Sequence, residues 1–235
     1  MPFRKVHSDI TAGLSPLAAE VRRDVETFID SREKLMFNEF DFQMQLALAL
    51  RGSGRYDNVD AEYFLPTRGT DILEGYDWDS NMRVDIVVSR GGEYVPVELK
   101  YTTRRVVRDM ERFGRMVRGI EVMRQQSAQD IRRYDFWKDV RRIELIRRIF
   151  PAVRNGLAVF MTCDPGYLSE PREGSASAPF SMSGTRPLGG CIMDWNGPSA
   201  SRDSHRPFHL DGRYQLQWAS AEIDGVSFHY TIANI

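Results

Sequence analysis

Residues 83–101 read RVDIVVSRGGEYVPVELKY, two runs rich in Val and Ile joined by Gly91-Gly92. β-Branched side chains suit a pleated surface, and paired glycines accept the positive φ angles of a tight hairpin turn. Any fold for this chain must therefore contain a sheet built around this antiparallel pair. Strand alternation then sorts the side chains. In the second run Glu98 and Lys100 are two apart and share a face, whereas Val97, Leu99 and Tyr101 share the other. Pairing within the hairpin brings Asp85, on the first run, toward Glu98.

The rest of the chain reads as elements packed on that hairpin. Residues 16–35 carry Leu17, Val21, Val25, Phe28 and Ile29 at helical spacing, with Ser15 as N-cap and Pro16 in the first turn. A second helix is expected from Asn38 to Leu50, with Phe42, Leu46 and Ala49 on one face and the glycines of RGSG at its end. It carries Glu39, Asp41 and Gln43. VDAEYFLP is expected as a strand and RGTDILEGYDWDSN as an exposed loop. After Thr103, Val106, Met110, Phe113, Val117, Ile120 and Met123 form an apolar stripe at helical spacing between arginines, and a further helix is expected from Ala128 to Phe150, stopped by Pro151. NGLAVFMTC reads as a strand buried on both faces. Residues 164–206 are loop-rich, and RYQLQWAS and GVSFHYTI read as two closing strands around Asp224-Gly225.

A chain of 235 residues has room for one well-packed domain. The expected architecture is α/β: a mixed central β-sheet flanked by helices, with an N-terminal helical segment (1–35), a core (36–163) and a loop-rich, β-rich C-terminal extension (164–235). No run approaches the ~18 apolar residues of a spanning helix, and the charged start MPFRKVHSDI lacks the apolar stretch of a signal peptide. A cytoplasmic protein without a membrane partner is expected. Cys163 and Cys191 cannot build a disulfide framework and read as small buried or half-buried side chains. His205 and His209 are four apart, but Pro207 between them opposes a helix that would aim both at zinc. No phosphate-cradling glycine loop and no local signature of a covalent nucleophile is present.

Two carboxylates and a lysine at one point of a sheet suit phosphodiester hydrolysis. Hard oxygen ligands hold Mg²⁺, with Mn²⁺ as a substitute, and the cation compensates phosphoryl charge and lowers the pKa of water. Asp85 and Glu98 fit the ligand role, and Lys100 suits orienting the water. Asp85, twelve residues, then Glu98-Leu99-Lys100 resembles the PD-(D/E)XK superfamily of restriction endonucleases, junction resolvases and recombination exonucleases. Many members place a metal-proximal glutamate on the helix before the core sheet, which here is Glu39 in NEFDFQ. Val84 stands before Asp85 where the pattern's name has proline. The resemblance spans about residues 36–163 and implies a restriction-endonuclease-like core and a Mg²⁺-dependent nuclease, with Glu39, Asp85, Glu98 and Lys100 as its catalytic set. The plainer reading of Glu98 and Lys100 is an exposed pair of opposite charge. For Glu39 it is an acid favouring the helix dipole.

Charge is distributed unevenly. From Arg104 to Arg148 there are fourteen basic residues against seven acids, net +7, while the whole chain is −1. Arg104, Arg105 and Arg108 follow the Glu98–Lys100 strand directly and are expected to contact DNA phosphates. The arginines after Arg124 are expected on solvated helix faces, paired with acids one turn away. Tyr134, Phe136 and Trp137 are expected in the core. DNA is the expected partner and a homodimer is compatible with cutting two strands. An RNA-directed nuclease and a non-catalytic module binding nucleic acid or protein are the rivals, because the centre addresses phosphates and not bases or sugars.

Overall fold

The computed structural model describes residues 12–76, 78–126, 128–197 and 200–235. The start of the N-terminal segment, on which the signal-peptide reading rested, lies outside them. Along the chain run α1 (Pro16–Asp30), α2 (Glu39–Gly52), β1 (Asn58–Leu65), β2 (Met82–Arg90), β3 (Glu93–Thr102), β4 (Val106–Arg112), β5 (Arg115–Met123), α3 (Gln129–Ile149), β6 (Leu157–Thr162), β7 (Leu188–Met193), α4 (Ala200–Ser204), β8 (Phe208–Tyr214), β9 (Trp218–Ile223) and β10 (Val226–Asn234). The central sheet is mixed, six strands in the order β1-β2-β3-β6-β10-β9. The β3–β6 pairing is parallel and the others are antiparallel. An α/β architecture with a mixed central sheet is thus what the chain builds. Of the two closing strands expected, GVSFHYTI forms β10, whereas RYQLQWAS is split, Arg213 and Tyr214 ending β8 and Trp218 opening β9. β9 and β10 complete the central sheet, and β8 pairs with β7, which lies in the stretch read as loop-rich, as a separate ribbon.

Local chemistry sets the elements. Ser15 caps α1 by accepting from the Ala18 N–H, and Asn38 caps α2 by accepting from Asp41 N at 2.8 Å, each filling a donor the first turn leaves open. Gly91 and Gly92 have φ of 59° and 80° between the register partners Arg90 and Glu93, the geometry of a type I′ turn. Phe42, Leu46 and Leu50 of α2 are buried, whereas Ala49, expected on that face, is exposed. Cys163 is buried, and Cys191, on β7, is exposed rather than covered.

The stripe from Val106 to Met123 does not form a helix. It is the β4–β5 hairpin, turned at Phe113-Gly114 with φ of 51° and 74°. Gly114 and Gly119 penalise a helix here, and Val106, Val107, Val117, Ile120 and Val122 favour extended backbone. The register slips between Val106 and Val107 and between Arg108 and Met110, so a bulged ribbon imitates the helical period in the sequence.

Two apolar layers sandwich the sheet. On one side α1 and α2 pack with Val97, Leu99, Val159 and Met161; on the other, α3 and the β7–β8 ribbon pack with Ala158 and Phe160. β6 is accordingly buried at every position, as expected for a strand covered on both faces. Tyr134, Phe136 and Trp137 lie in this second layer. Just before β6, Gly156 exchanges backbone hydrogen bonds with Ile235, both 2.9 Å. A Cβ there would overlap Ile143 Cγ2 and press on Pro96 Cγ at 2.9 Å. Gly156→Ala is expected to destabilise the fold by about 1–3 kcal/mol through overpacking, read from the midpoint of a urea unfolding curve.

Candidate functional site

The β2–β3 ladder ends at the pair Ile86↔Val97, although β3 continues to Thr102 beside β6. Beyond that pair the N–H groups of β3 on the β2 side need other acceptors, since an unmatched backbone donor is costly. Two carboxylates supply them. Asp85 Oδ2 accepts from Leu99 N at 2.6 Å, and Glu39 Oε2 accepts from Tyr101 N at 2.9 Å. Leu99 and Tyr101 are two apart, so Asp85 from β2 and Glu39 from the first turn of α2 dock side by side along the strand. Gln43, one helical turn after Glu39, holds the place from behind: its Nε2 donates to the Asp85 carbonyl and to Glu62 Oε1, both at 2.8 Å.

Glu98 and Lys100, on the same strand, meet α3. Lys100 Nζ lies 2.7 Å from Asp139 Oδ2, and Arg142 Nη1 lies 3.2 Å from Glu98 Oε1 and 2.9 Å from Asp139 Oδ1. Glu98 is 2% exposed and Asp139 1%. This is no exposed surface pair: two carboxylates and two cations are packed between sheet and helix. Burial pushes the Glu98 carboxyl well above the usual range; Arg142 opposes the shift, and Asp139 and Asp85 add to it. Burial also raises Asp85, to about 6, against the pull of Lys100 and the Leu99 N–H and with Asp139 and Glu39 adding to the rise. For Asp139 burial is outweighed by Lys100 and Arg142, which hold it low. Burial would lower Lys100, but Asp139, then Glu39, Asp85 and Glu98, hold it raised.

The carboxylates of this cluster offer the hard oxygen donors that a divalent cation takes. Four carboxyl groups, Glu39, Asp85, Glu98 and Asp139, lie around two cations, Lys100 and Arg142. Glu98 Oε1 and Asp139 Oδ2 are buried, and their partners are the cations Arg142 and Lys100, held as ion pairs and not as well-aligned hydrogen bonds. In the arrangement present, no three His, Cys, Asp or Glu side chains among the described residues are set to hold a metal. Arg142 occupies Glu98.

Asp139 and Arg142 were not among the sequence candidates. Their signal is positional: Asp139 is three after Phe136 and four before Ile143, and Arg142 is four before Ile146, so both fall toward the apolar face of α3. The expected solvated placement of the later arginines is corrected for three of them. Arg133 and Arg141 are buried, and Arg142 reaches under the sheet, where it also bonds the Arg83 carbonyl. Glu144, expected on a solvated face, is buried beside Arg141.

The three arginines expected at phosphates precede or enter the β4–β5 ribbon instead of opening a helix. Each faces an acid: Arg104 Nε is 3.2 Å from Asp164, Arg105 Nε 2.7 Å from Glu121, and Arg108 Nη1 2.7 Å from Asp224. Arg104 and Arg105 are more than half exposed, where such pairs are weak and exchange readily for another anion. No helix among the described residues is long and apolar enough to cross a membrane. Compared with protein-family models, with curated proteins and with solved structures, the chain has no match.

Proposed function

We propose that this chain is a divalent-cation-dependent nuclease of the PD-(D/E)XK type that hydrolyses DNA phosphodiester bonds. The observation that carries the reading is the docking of Asp85 and Glu39 on adjacent N–H groups of the strand that also bears Glu98 and Lys100. Along the chain α2 is followed by β1, the β2–β3 hairpin, the β4–β5 ribbon, α3 and then β6, which runs parallel to β3.

Asp85 and Glu39, half-buried on the open side, would hold Mg²⁺ together with Glu98. When bound, the cation supplies charge compensation for the phosphoryl oxygens and lowers the pKa of a nearby water. The chain's own groups do the rest. Backbone N–H groups fix one oxygen of Asp85 and one of Glu39, so their carboxylates need no reorganisation to receive a ligand. Lys100, positioned by Asp139, contributes a fixed positive charge where the phosphorane charge develops. Arg142 neutralises Glu98 in the cation-free protein.

A second reading, a non-catalytic nucleic-acid-binding module on the same fold, draws on one observation, the seating of Arg142 on Glu98. Cleavage of plasmid and single-stranded DNA with Mg²⁺ or Mn²⁺ separates the two readings, and competition with RNA of equal length tests the choice of DNA. Within the nuclease reading, Lys100→Ala is expected to slow cleavage by about 10²–10³-fold, the scale of losing one preorganised charge. Mn²⁺ binding measured by calorimetry should persist, because an ammonium is not a ligand, and Asp139 keeps Arg142 at 2.9 Å. Wild-type cleavage in this variant would remove Lys100 from the mechanism.

A further inference from the structure

Among the described residues the β4–β5 ribbon is a two-stranded sheet of its own, and it carries three features that each cost the free protein energy. Phe113 is fully exposed at its tip, at 105% of its reference area, although an aromatic ring strongly favours burial. The same Phe113 sits at φ 51° in the hairpin turn, a left-handed position suited to Asn, Asp or Gly and strained for a bulky residue. Arg112 and Arg115 are direct register partners beside that turn, a placement in which like charges are destabilising, and the Arg112 guanidinium is turned onto the Phe37 ring, 5.3 Å from its centroid. Arg115 and Arg118 make no ion pair among the described residues. From Arg104 to Arg124 the segment holds seven arginines against three acids.

We infer that the ribbon is an arm that grips unpaired nucleotides, Phe113 stacking on a base while Arg112 and Arg115 hold the phosphates beside it. A base offers its π-face to an exposed ring whatever its sequence, and a phosphate relieves the Arg112–Arg115 repulsion. An apolar protein partner would use the ring but not the paired arginines. A smooth duplex would use the arginines but offers the ring no open face. The arm also stands beside the candidate centre: a groove of about 630 Å³ runs between Met110 and Arg112 of the ribbon and Asn38 and Asp41, the neighbours of Glu39. Arg32 and Lys34 line the same groove, as do the acids Glu111 and Asp224. A strand held by the arm thus passes the end of α2 that presents Glu39. Capture of the strand stands on the ribbon alone, and only its fate at the centre rests on the nuclease reading.

The test is fluorescence anisotropy with labelled oligothymidylate, its duplex and oligouridylate, all in EDTA so that cleavage plays no part. A 2-aminopurine base reports stacking. Single strands should bind more tightly than duplex, with 2-aminopurine quenched. Phe113→Asn should lower single-strand affinity by about tenfold and abolish the quench. Asn suits the left-handed turn, so the thermal midpoint should hold or rise, which separates a contact role from a structural one. Arg112→Gln and Arg115→Gln should each reduce the slope of log K against log salt by about 0.7. Undiminished single-strand binding by Phe113→Asn, a preference for duplex, or no binding of any oligonucleotide overturns the inference. Phe113→Asn binding normally while the wild type cleaves DNA would sink the arm and spare the nuclease. Binding as described with no cleavage in Mg²⁺ would do the reverse.

Discussion

Asp85→Asn should abolish cleavage while leaving the fold at least as stable as the wild type. The amide oxygen still accepts from the Leu99 N–H, which now bonds Asp85 Oδ2 at 2.6 Å, so the end of the hairpin ladder stays closed. What disappears is one anionic ligand. Loss of several kcal/mol of charge stabilisation in the transition state corresponds to a rate decrease of at least about 10³, and calorimetric heat on Mn²⁺ addition should vanish with it. The stability side follows from the direction of the pKa shift. Burial lifts Asp85 from 3.8 to about 6, so the metal-free folded state binds more protons than the unfolded chain between those values. The stabilising contribution of the protonated form is complete below about 3.8 and lost as pH rises through 6. At neutral pH the wild type carries the unfavourable charge and the asparagine variant does not. Thermal unfolding in EDTA at pH 7 should show an equal or higher midpoint. A variant that cleaves within tenfold of wild type would remove Asp85 from the centre.

Arg142→Ala should be the most destabilising single change at the site. It leaves Glu98, at 2% exposure, without its partner and Asp139, at 1%, with Lys100 alone, and removing one member of a buried ion pair costs about 3–5 kcal/mol. Removing charge from both sides is different: Glu98→Gln with Arg142→Met should recover much of the loss, because no uncompensated ion remains. Urea unfolding with an unchanged slope would show this as a change in stability and not in compactness. The account adds a second expectation. With Arg142 gone, Glu98 is released to a cation, so Mn²⁺ should raise the midpoint of Arg142→Ala more than that of the wild type. A cost below about 1 kcal/mol would mean that water reaches the pair and that Arg142 is not the residue holding Glu98.

The parts of this molecule legible in the sequence are those in which local chemistry and tertiary packing agree. Gly91-Gly92 between Val-rich runs could only turn back, and alternation along 97–101 then decided which side chains face which layer. Ser15-Pro16 and Asn38 marked helix starts because capping is a contact within one turn. Residues 157–161, an unbroken apolar run, required cover on both faces and receive it from α1 and α2 on one side and α3 on the other.

Where the sequence misled, a longer-range or subtler effect decided. The spacing of Val106, Met110, Phe113, Val117 and Ile120 matches a helix, but bulges shift a ribbon's register and produce the same intervals, and Phe113-Gly114 gave no conventional turn signal because Phe seldom takes a left-handed φ. For β10 alternation identified a strand without saying which sheet it joins, and its pairing with β6 lies between residues far apart in the chain. Glu39, Asp85, Glu98 and Lys100 could be proposed from residue type and spacing, yet the partners that define their charge state, Asp139 and Arg142, come from α3. In the sequence these two look like any members of a charged helix. Only their intervals from Phe136, Ile143 and Ile146 hint that they face inward.

The most direct test of the central claim is anomalous diffraction from a crystal grown with Mn²⁺. The account predicts one peak bounded by the carboxylates of Asp85, Glu39 and Glu98, with Arg142 displaced from Glu98 and Lys100 still on Asp139. A saturated crystal with no peak there, and Arg142 still seated on Glu98, would contradict it.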